Sequence, residues 1–168
     1  MMKTLFLLRH AKSSWTDPGL ADLDRPLNER GIRTAPFMGE LMKSSGLEPA
    51  VILSSPAVRA RETAEAVKSA GLGAEIRIEH QIYEASPHSL SQVVSELDDT
   101  HDSAMLVGHN PGMEGFIRYL TGQLEPMPTA ALAVIELNID EWSAVKDGCG
   151  ELQKVYRPKE EMKGLIRV

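Results

Sequence analysis

Two histidines stand where strands are expected to end. His10 follows Arg9 directly after the apolar run Thr4-Leu5-Phe6-Leu7-Leu8, and His109 follows Gly108 after Ala104-Met105-Leu106-Val107. Short unbroken apolar runs bounded by turn residues predict strands covered on both faces, and ligands collect at the carboxyl ends of such strands in open α/β sheets. A third run, Val51-Ile52-Leu53, leads through Ser54-Ser55-Pro56 into a predicted helix with Arg59 and Arg61 near its start. Helical amides and guanidinium groups together suit an anion there. Singly, a histidine after a strand is commonly a hydrogen-bonded structural residue, and an arginine in a first helical turn is commonly solvated. Packing alone does not require Arg9, His10, Arg59 and His109 to converge on one sheet edge, and that convergence marks them as a site.

The strings around these residues carry a family resemblance. LFLLRHAKSSW (residues 5–15) resembles the first motif of the histidine phosphatase, or phosphoglycerate mutase-like, superfamily. LSSPAVRARETA (53–64) and LVGHNPG (106–112) are similar to its second and third motifs, in the same order and at matching separations. DLDRPLNERG (22–31) resembles the small bacterial subgroup of SixA-type phosphohistidine phosphatases, so the resemblance spans roughly residues 3 to 122. It implies a three-layer α/β/α fold and a metal-independent phosphatase, without cofactor, that works through a covalent phosphohistidine.

Phosphoryl transfer needs an in-line nucleophile, cationic donors around the equatorial oxygens and a proton for the leaving atom. On the resemblance, His10 is the nucleophile, and Arg9, Arg59 and His109 are the donors. Neighbouring arginines penalise the imidazolium of His10, and a bond from one ring nitrogen to a backbone carbonyl would leave the other nitrogen's lone pair for phosphorus. Glu84, in Gln81-Ile82-Tyr83-Glu84-Ala85, matches the position where many members of the superfamily carry the catalytic carboxylate; alternatively it is an exposed acid leading a helix. The subgroup's arginine matching Arg25 reaches toward the phosphate pocket; the other reading pairs Arg25 with Asp22 or Asp24 on the surface. Lys12 and Ser13 are further candidates for substrate contact. Ala11 stands where the wider family has glycine, which disfavours a left-handed backbone there. Lys12 replaces the common acidic residue, so specificity does not carry over from the mutases. His80 and His88 are read as surface residues.

Other chemistries lack their motifs. The chain has no GxxxxGK[ST] loop, no HExxH and no GxSxG elbow. A metal bound by His10, His109 and Glu84 would be repelled by the adjacent arginines. Ser54 and Ser55 lack a motif-placed base and are read as caps positioning the Arg59 helix. The readings kept beside the phosphohistidine phosphatase are a small-molecule phosphomonoesterase or phosphomutase of the same superfamily and a non-catalytic phosphate-binding module. The partner is then a phosphorylated protein, such as a histidine-containing phosphotransfer domain, or a small phosphomonoester.

With 168 residues, 42% apolar and 25% charged, the chain reads as one globular domain spanning residues 1–168. A net charge of -6 opposes non-specific binding to nucleic acid or anionic membranes. Leu5-Phe6-Leu7-Leu8 is too short for a signal peptide's apolar region or a membrane span, so a cytoplasmic location is expected. Cys149, the only cysteine, reads as part of a turn.

Strands alternating with helices predict a mostly parallel sheet between helical layers. Ser55-Pro56, Ser86-Pro87 and Asn110-Pro111 each pair a capping residue with proline, which predicts helices over 55–70, 86–99 and 110–121. Another helix is expected over 28–45, with Ile32, Phe37, Leu41 and Met42 on its apolar face and Gly46 closing it. Residues 131–137, 142–145 and 152–156 read as β segments adding antiparallel strands to one side. The charged tail from Arg157 to Val168 is given no element.

Overall fold

The computed structural model describes residues 2–166, and the side chains of 2–163. Six strands form one sheet in the order β3-β2-β4-β1-β5-β6, with β1 at Lys3–Arg9, β2 at Val51–Ser54, β3 at Glu75–Ile78, β4 at Ser103–Gly108, β5 at Leu132–Leu137 and β6 at Gly150–Tyr156. The pairs β1–β4, β2–β4 and β2–β3 are parallel, whereas β1–β5 and β5–β6 are antiparallel. This is the mixed α/β sheet expected, with the antiparallel strands added on the β5 side.

Alternation along β1 sends Leu5 and Leu7 to one face and Phe6 and Leu8 to the other, all four almost wholly buried. The first pair packs with Leu90, Val93, Phe116 and Leu120 of α3 (Pro87–Ser95) and α4 (Gly112–Thr121). The second packs with Met38, Met42, Ala60 and Val67 of α1 (Glu29–Ser44) and α2 (Val58–Ser69). Both faces of the sheet are therefore covered, which explains the unbroken apolar runs in β1, β2 and β4.

The predicted elements need several corrections. Asn28 caps α1 by accepting from the Gly31 N–H, but Ile32 is 60% exposed. Met42 is buried and Phe37 and Leu41 pack partly buried against the core as expected, but the buried stripe also takes in Thr34, Ala35 and Met38, since the face is set by contact with α2. Ser86 caps α3 and Pro87 opens it as expected, yet α3 ends at Ser95, four residues early. Ser55-Pro56 does not open α2, which begins at Val58, because the Ser55 hydroxyl accepts from the Ala57 N–H and bonds a histidine. α4 begins at Gly112, and the Asn110 side chain accepts from the Glu114 N–H from just outside it. The segment 142–145 is no strand: Trp142–Ala144 makes one 3-10 turn that buries the indole completely, its Nε1–H donating to the His101 carbonyl. Within the tail, Pro158–Ile166 forms helix α5 in contact with α1, and residues 167–168 lie outside the described residues.

Candidate active site

The two histidines meet because of strand register. Arg9 lies opposite Gly108 in the β1–β4 pair, the His10 N–H donates to the Gly108 carbonyl at 3.0 Å, and the His10 and His109 ring centroids are 5.1 Å apart. The turn after β1 is tied down from two sides. Thr63 of α2 accepts from the Ala11 N–H at 3.0 Å while donating to the Arg59 carbonyl at 2.7 Å. The Ala130 N–H, in a residue with φ of 63°, reaches the carbonyls of Arg9 and His10. A non-glycine residue held left-handed is a local cost of about 1 kcal/mol or more, maintained here where the backbone closes over the end of β1. Ala11 itself is buried and has no positive φ, as expected for alanine at that place. Gly112 lets the loop after β4 approach the Glu84 segment, since a Cβ there would lie 2.6 Å from the Ala85 carbonyl oxygen.

His10 is 6% exposed, and its Nδ1 lies 2.7 Å from the Ala11 carbonyl oxygen. A carbonyl only accepts, so this contact places the proton on Nδ1 and leaves the Nε2 lone pair unprotonated. Burial pushes the imidazolium pKa down to about 3, with His109, Arg59 and Arg9 adding to the effect and the Ala11 bond opposing it. His109 is lowered to about 4, by burial and then by Arg59, with Asp22 opposing. The His109 Nε2 is 2.7 Å from the Ser55 hydroxyl.

Arg59 is buried, and its two terminal nitrogens donate to Asp22, at 2.7 Å to the backbone oxygen and 3.0 Å to Oδ2. Arg9 donates through Nη1 to the Met127 carbonyl at 3.0 Å. Glu114 holds that carbonyl in place by accepting from the Met127 N–H and from Asn110, which also donates to Met127. Among the described residues, the buried side-chain nitrogen and oxygen atoms without a hydrogen-bond partner are the Arg9 Nε and the His109 Nδ1. Both belong to this cluster. Buried polar groups are otherwise almost always paired, so this one cluster holds two buried nitrogens whose hydrogen bonding is unmet.

Beside His109 opens a cleft of about 430 Å³, walled also by Arg59, Tyr83, Glu84 and Asp22 among others, while His10 and Arg9 lie behind this wall and do not line it. Two larger concavities, on the α1–α2 and α1–α5 faces, hold no histidine. Chemistry selects the smaller one. Glu84 is exposed at its wall in a left-handed conformation, φ 53°, and makes no hydrogen bond or ion pair. Arg25 is buried but does not line the cleft. Its Nη2 donates to Ser13 at 2.6 Å, its Nε to the Ser14 carbonyl and its Nη1 to Asp22 at 3.0 Å. Ser13 is buried behind Arg25, and Lys12 is exposed with its ammonium unpaired. His80 and His88 are exposed, and Cys149 is a buried free thiol beside the turn into β6.

The residues that sequence reasoning missed are Asp22, Tyr83, Ser55 as a histidine partner, and Glu114. Asp22 matters most: its carboxylate takes bonds from Tyr83 at 2.6 Å, Arg25 and Arg59 at once. The Tyr83 bond, then those of Arg25 and Arg59, hold it well below the usual carboxylate range, and in return the Tyr83 phenol is pushed up to about 12. The available signal was the acid three residues before Arg25, but it read only as a possible surface partner of that arginine. Among the described residues no three His, Cys, Asp or Glu side chains group as a metal would need, and no helix is long and apolar enough to cross a membrane.

A doubly covered sheet with paired histidines and arginines at its strand ends defines a phosphoglycerate mutase-like enzyme. Residues 5–90 match the histidine phosphatase superfamily (branch 1). An uncharacterized protein of Mycobacterium tuberculosis is 30% identical over 90% of this chain and all of its own length. An uncharacterized chloroplastic protein of Arabidopsis thaliana is 31% identical over 83% of this chain and 69% of its own. The crystal structure of a protein provisionally designated the phosphohistidine phosphatase SixA, from Agrobacterium tumefaciens, superposes with a TM-score of 0.79 at 31% identity, covering 93% of this chain and 98% of that one. The chain belongs to the histidine phosphatase superfamily and is a phosphatase.

Proposed function

We propose that this phosphatase removes phosphoryl groups from protein histidines, in the manner of a SixA-type enzyme, through a covalent intermediate on His10. The observation that carries the mechanism is the neutral, Nδ1-anchored His10 beside two buried nitrogens without partners, the Arg9 Nε and the His109 Nδ1. The Nε2 lone pair attacks phosphorus, a P–N bond to His10 forms as the bond to the substrate's imidazole breaks, and the departing imidazole takes a proton. Water then attacks phosphorus, the bond to Nε2 breaks, and inorganic phosphate leaves. Arg9, Arg59 and His109 donate to the equatorial oxygens throughout. Arg25 and Ser13 act at one remove, through Asp22, in fixing Arg59. Lys12, exposed beside the His10 turn, is assigned to the outer part of the substrate. The substrate class is supported by the likeness to the Agrobacterium tumefaciens protein along nearly its whole length.

Glu84 favours a second reading. A glutamate held left-handed at the wall of the cleft is a local strain of the kind that clusters at active sites, and as a general acid it would serve an alkyl phosphate, whose alkoxide needs a proton. A competition assay decides between the two. A phosphorylated histidine-containing transfer domain is offered against a panel of phosphorylated metabolites and scored by kcat/KM. The phosphoprotein should win, and the trapped phosphoenzyme should be acid-labile, alkali-stable and absent in His10→Ala. A preference for an alkyl phosphomonoester overturns the phosphohistidine reading, and trapping that survives His10→Ala overturns the nucleophile.

A further inference from the structure

We propose that Trp15 is a specificity-determining residue, the contact by which the enzyme grips the polypeptide flanking a phosphorylated side chain; this rests on the phosphoprotein reading above. Trp15 follows His10 by five positions and is 72% exposed. An aromatic side chain left in water is common enough singly, but this one is held. The Arg25 guanidinium carbon lies 3.2 Å from the indole centroid, and Arg25 is itself locked by Ser13, Ser14 and Asp22. The indole therefore presents its outer face already oriented, which lowers the entropy lost when a partner covers it.

Its surroundings extend the patch. Of the seven exposed large hydrophobic residues among the described ones, three lie in residues 15–23: Trp15, Leu20 and Leu23. That segment reaches the cleft at one end, where its Asp22 forms part of the wall, whereas Trp15 lies outside it. A small phosphate ester held within the cleft would meet Asp22 and not Trp15. A polypeptide leaving the cleft would cross the segment. Asp17 and Asp24 are exposed on the same stretch and oppose an acidic flank, so the occupant that fits is an apolar residue with a basic neighbour, close in the chain or in space to the phosphorylated histidine. Buried Trp anchors beside Arg are typical of residues that dominate protein interfaces.

The experiment compares wild type, Trp15→Ala and Trp15→Phe on a histidine-phosphorylated transfer domain and on p-nitrophenyl phosphate. In Trp15→Ala the ratio of kcat/KM for phosphoprotein over aryl phosphate should fall about 10- to 100-fold, mainly through KM, and Trp15→Phe, which keeps a ring over Arg25, should restore most of it. Equal losses on both substrates would mean that Trp15 acts on the phosphate pocket through Arg25, and an unchanged ratio would mean that it contacts nothing; either result overturns the proposal. Wild type inert toward the phosphoprotein but active on aryl phosphate defeats the substrate reading first, before any substitution is made. A second measurement needs no change at Trp15. Trp142 is fully buried, so in the His10→Ala protein a blue shift on adding phosphoprotein, absent with inorganic phosphate, reports Trp15 being covered. Unshifted emission at saturating phosphoprotein overturns the proposal.

Discussion

Acidification from pH 7 to pH 5 should destabilise this protein through His10, by an amount that the structure sets. The residue is 6% exposed, and its imidazolium pKa is lowered to about 3 from an ordinary 6.5. The unfolded chain therefore takes up a proton at His10 as the pH falls below 6.5, while the folded protein refuses it until about pH 3. Stability is full above 6.5 and declines as pH falls through that window, by about 2 kcal/mol between pH 7 and pH 5. His109, less buried and lowered to about 4, should add about 1–2 kcal/mol of the same sign. The depressed carboxylate of Asp22 works in a lower window, since its contribution is lost only as pH falls below the ordinary carboxylate range, so the interval from 5 to 7 isolates the histidines. The assay is urea unfolding followed by far-ultraviolet circular dichroism at both pH values, in buffer free of phosphate and sulfate, for wild type and His10→Gln. The variant should lose about 2 kcal/mol less on acidification than wild type. Identical pH dependence in the two proteins, or a ¹⁵N titration placing His10 near 6.5, would refute the reasoning and with it the claim of a permanently neutral nucleophile.

Asp22→Asn keeps one acceptor oxygen but removes the charge facing Arg25 and Arg59; the Tyr83 phenol should fall from about 12 toward 10 in an ultraviolet titration, and vanadate should bind more weakly. Because the Asp22 side chain is about half exposed, the accompanying loss of stability should be only about 1 kcal/mol. Glu84→Gln should slow alkyl phosphate hydrolysis by about 10²–10⁴-fold if Glu84 is a general acid, but should slow phosphohistidine and p-nitrophenyl phosphate hydrolysis little, since their leaving groups need no such help; equal losses on all three would make it a positioning residue. Gly31→Ala would put a Cβ 2.2 Å from the Lys12 carbonyl oxygen and displace the turn after His10, so it should cost about 1–3 kcal/mol in thermal or urea unfolding and reduce turnover as well.

The central strands and the four converging residues were legible because their signals are local. An apolar run in a doubly covered strand needs no partner information, and a histidine directly after such a run can hardly avoid the sheet edge. The arginine network was not legible. Asp22 connects Arg25, Arg59 and Tyr83 across 61 positions of sequence, and nothing in a run of Asp-Leu-Asp distinguishes the aspartate that meets the arginines from the one that does not. Ser55 failed for a related reason: a serine before proline has the look of a helix cap, but a nearby imidazole competes for the same hydroxyl and the helix starts later. Ile32 and Trp142 show how tertiary packing overrides pattern. α1 turns its small residues toward α2 and leaves an isoleucine outside, while a tryptophan in an extended-looking stretch is buried by a single 3-10 turn.

The β1–β4 pairing has a temporal consequence. Its two halves are brought together from opposite ends of most of the chain, His10 from β1 and His109 from just beyond β4. On a ribosome adding about 5–20 residues per second, the first histidine emerges roughly 5–20 s before the second has been made, and no shorter nascent chain holds both. Until then β1 has neither β4 on one side nor β5 on the other, and its run Leu5-Phe6-Leu7-Leu8 is an unpaired apolar edge open to other chains. The meeting of the two histidines and the covering of β1 on its β4 side should therefore arrive together during synthesis, with β5 covering the other side later. Nascent chains arrested with β4 still inside the exit tunnel should neither bind vanadate nor resist proteolysis at β1, and chains released past β5 should do both.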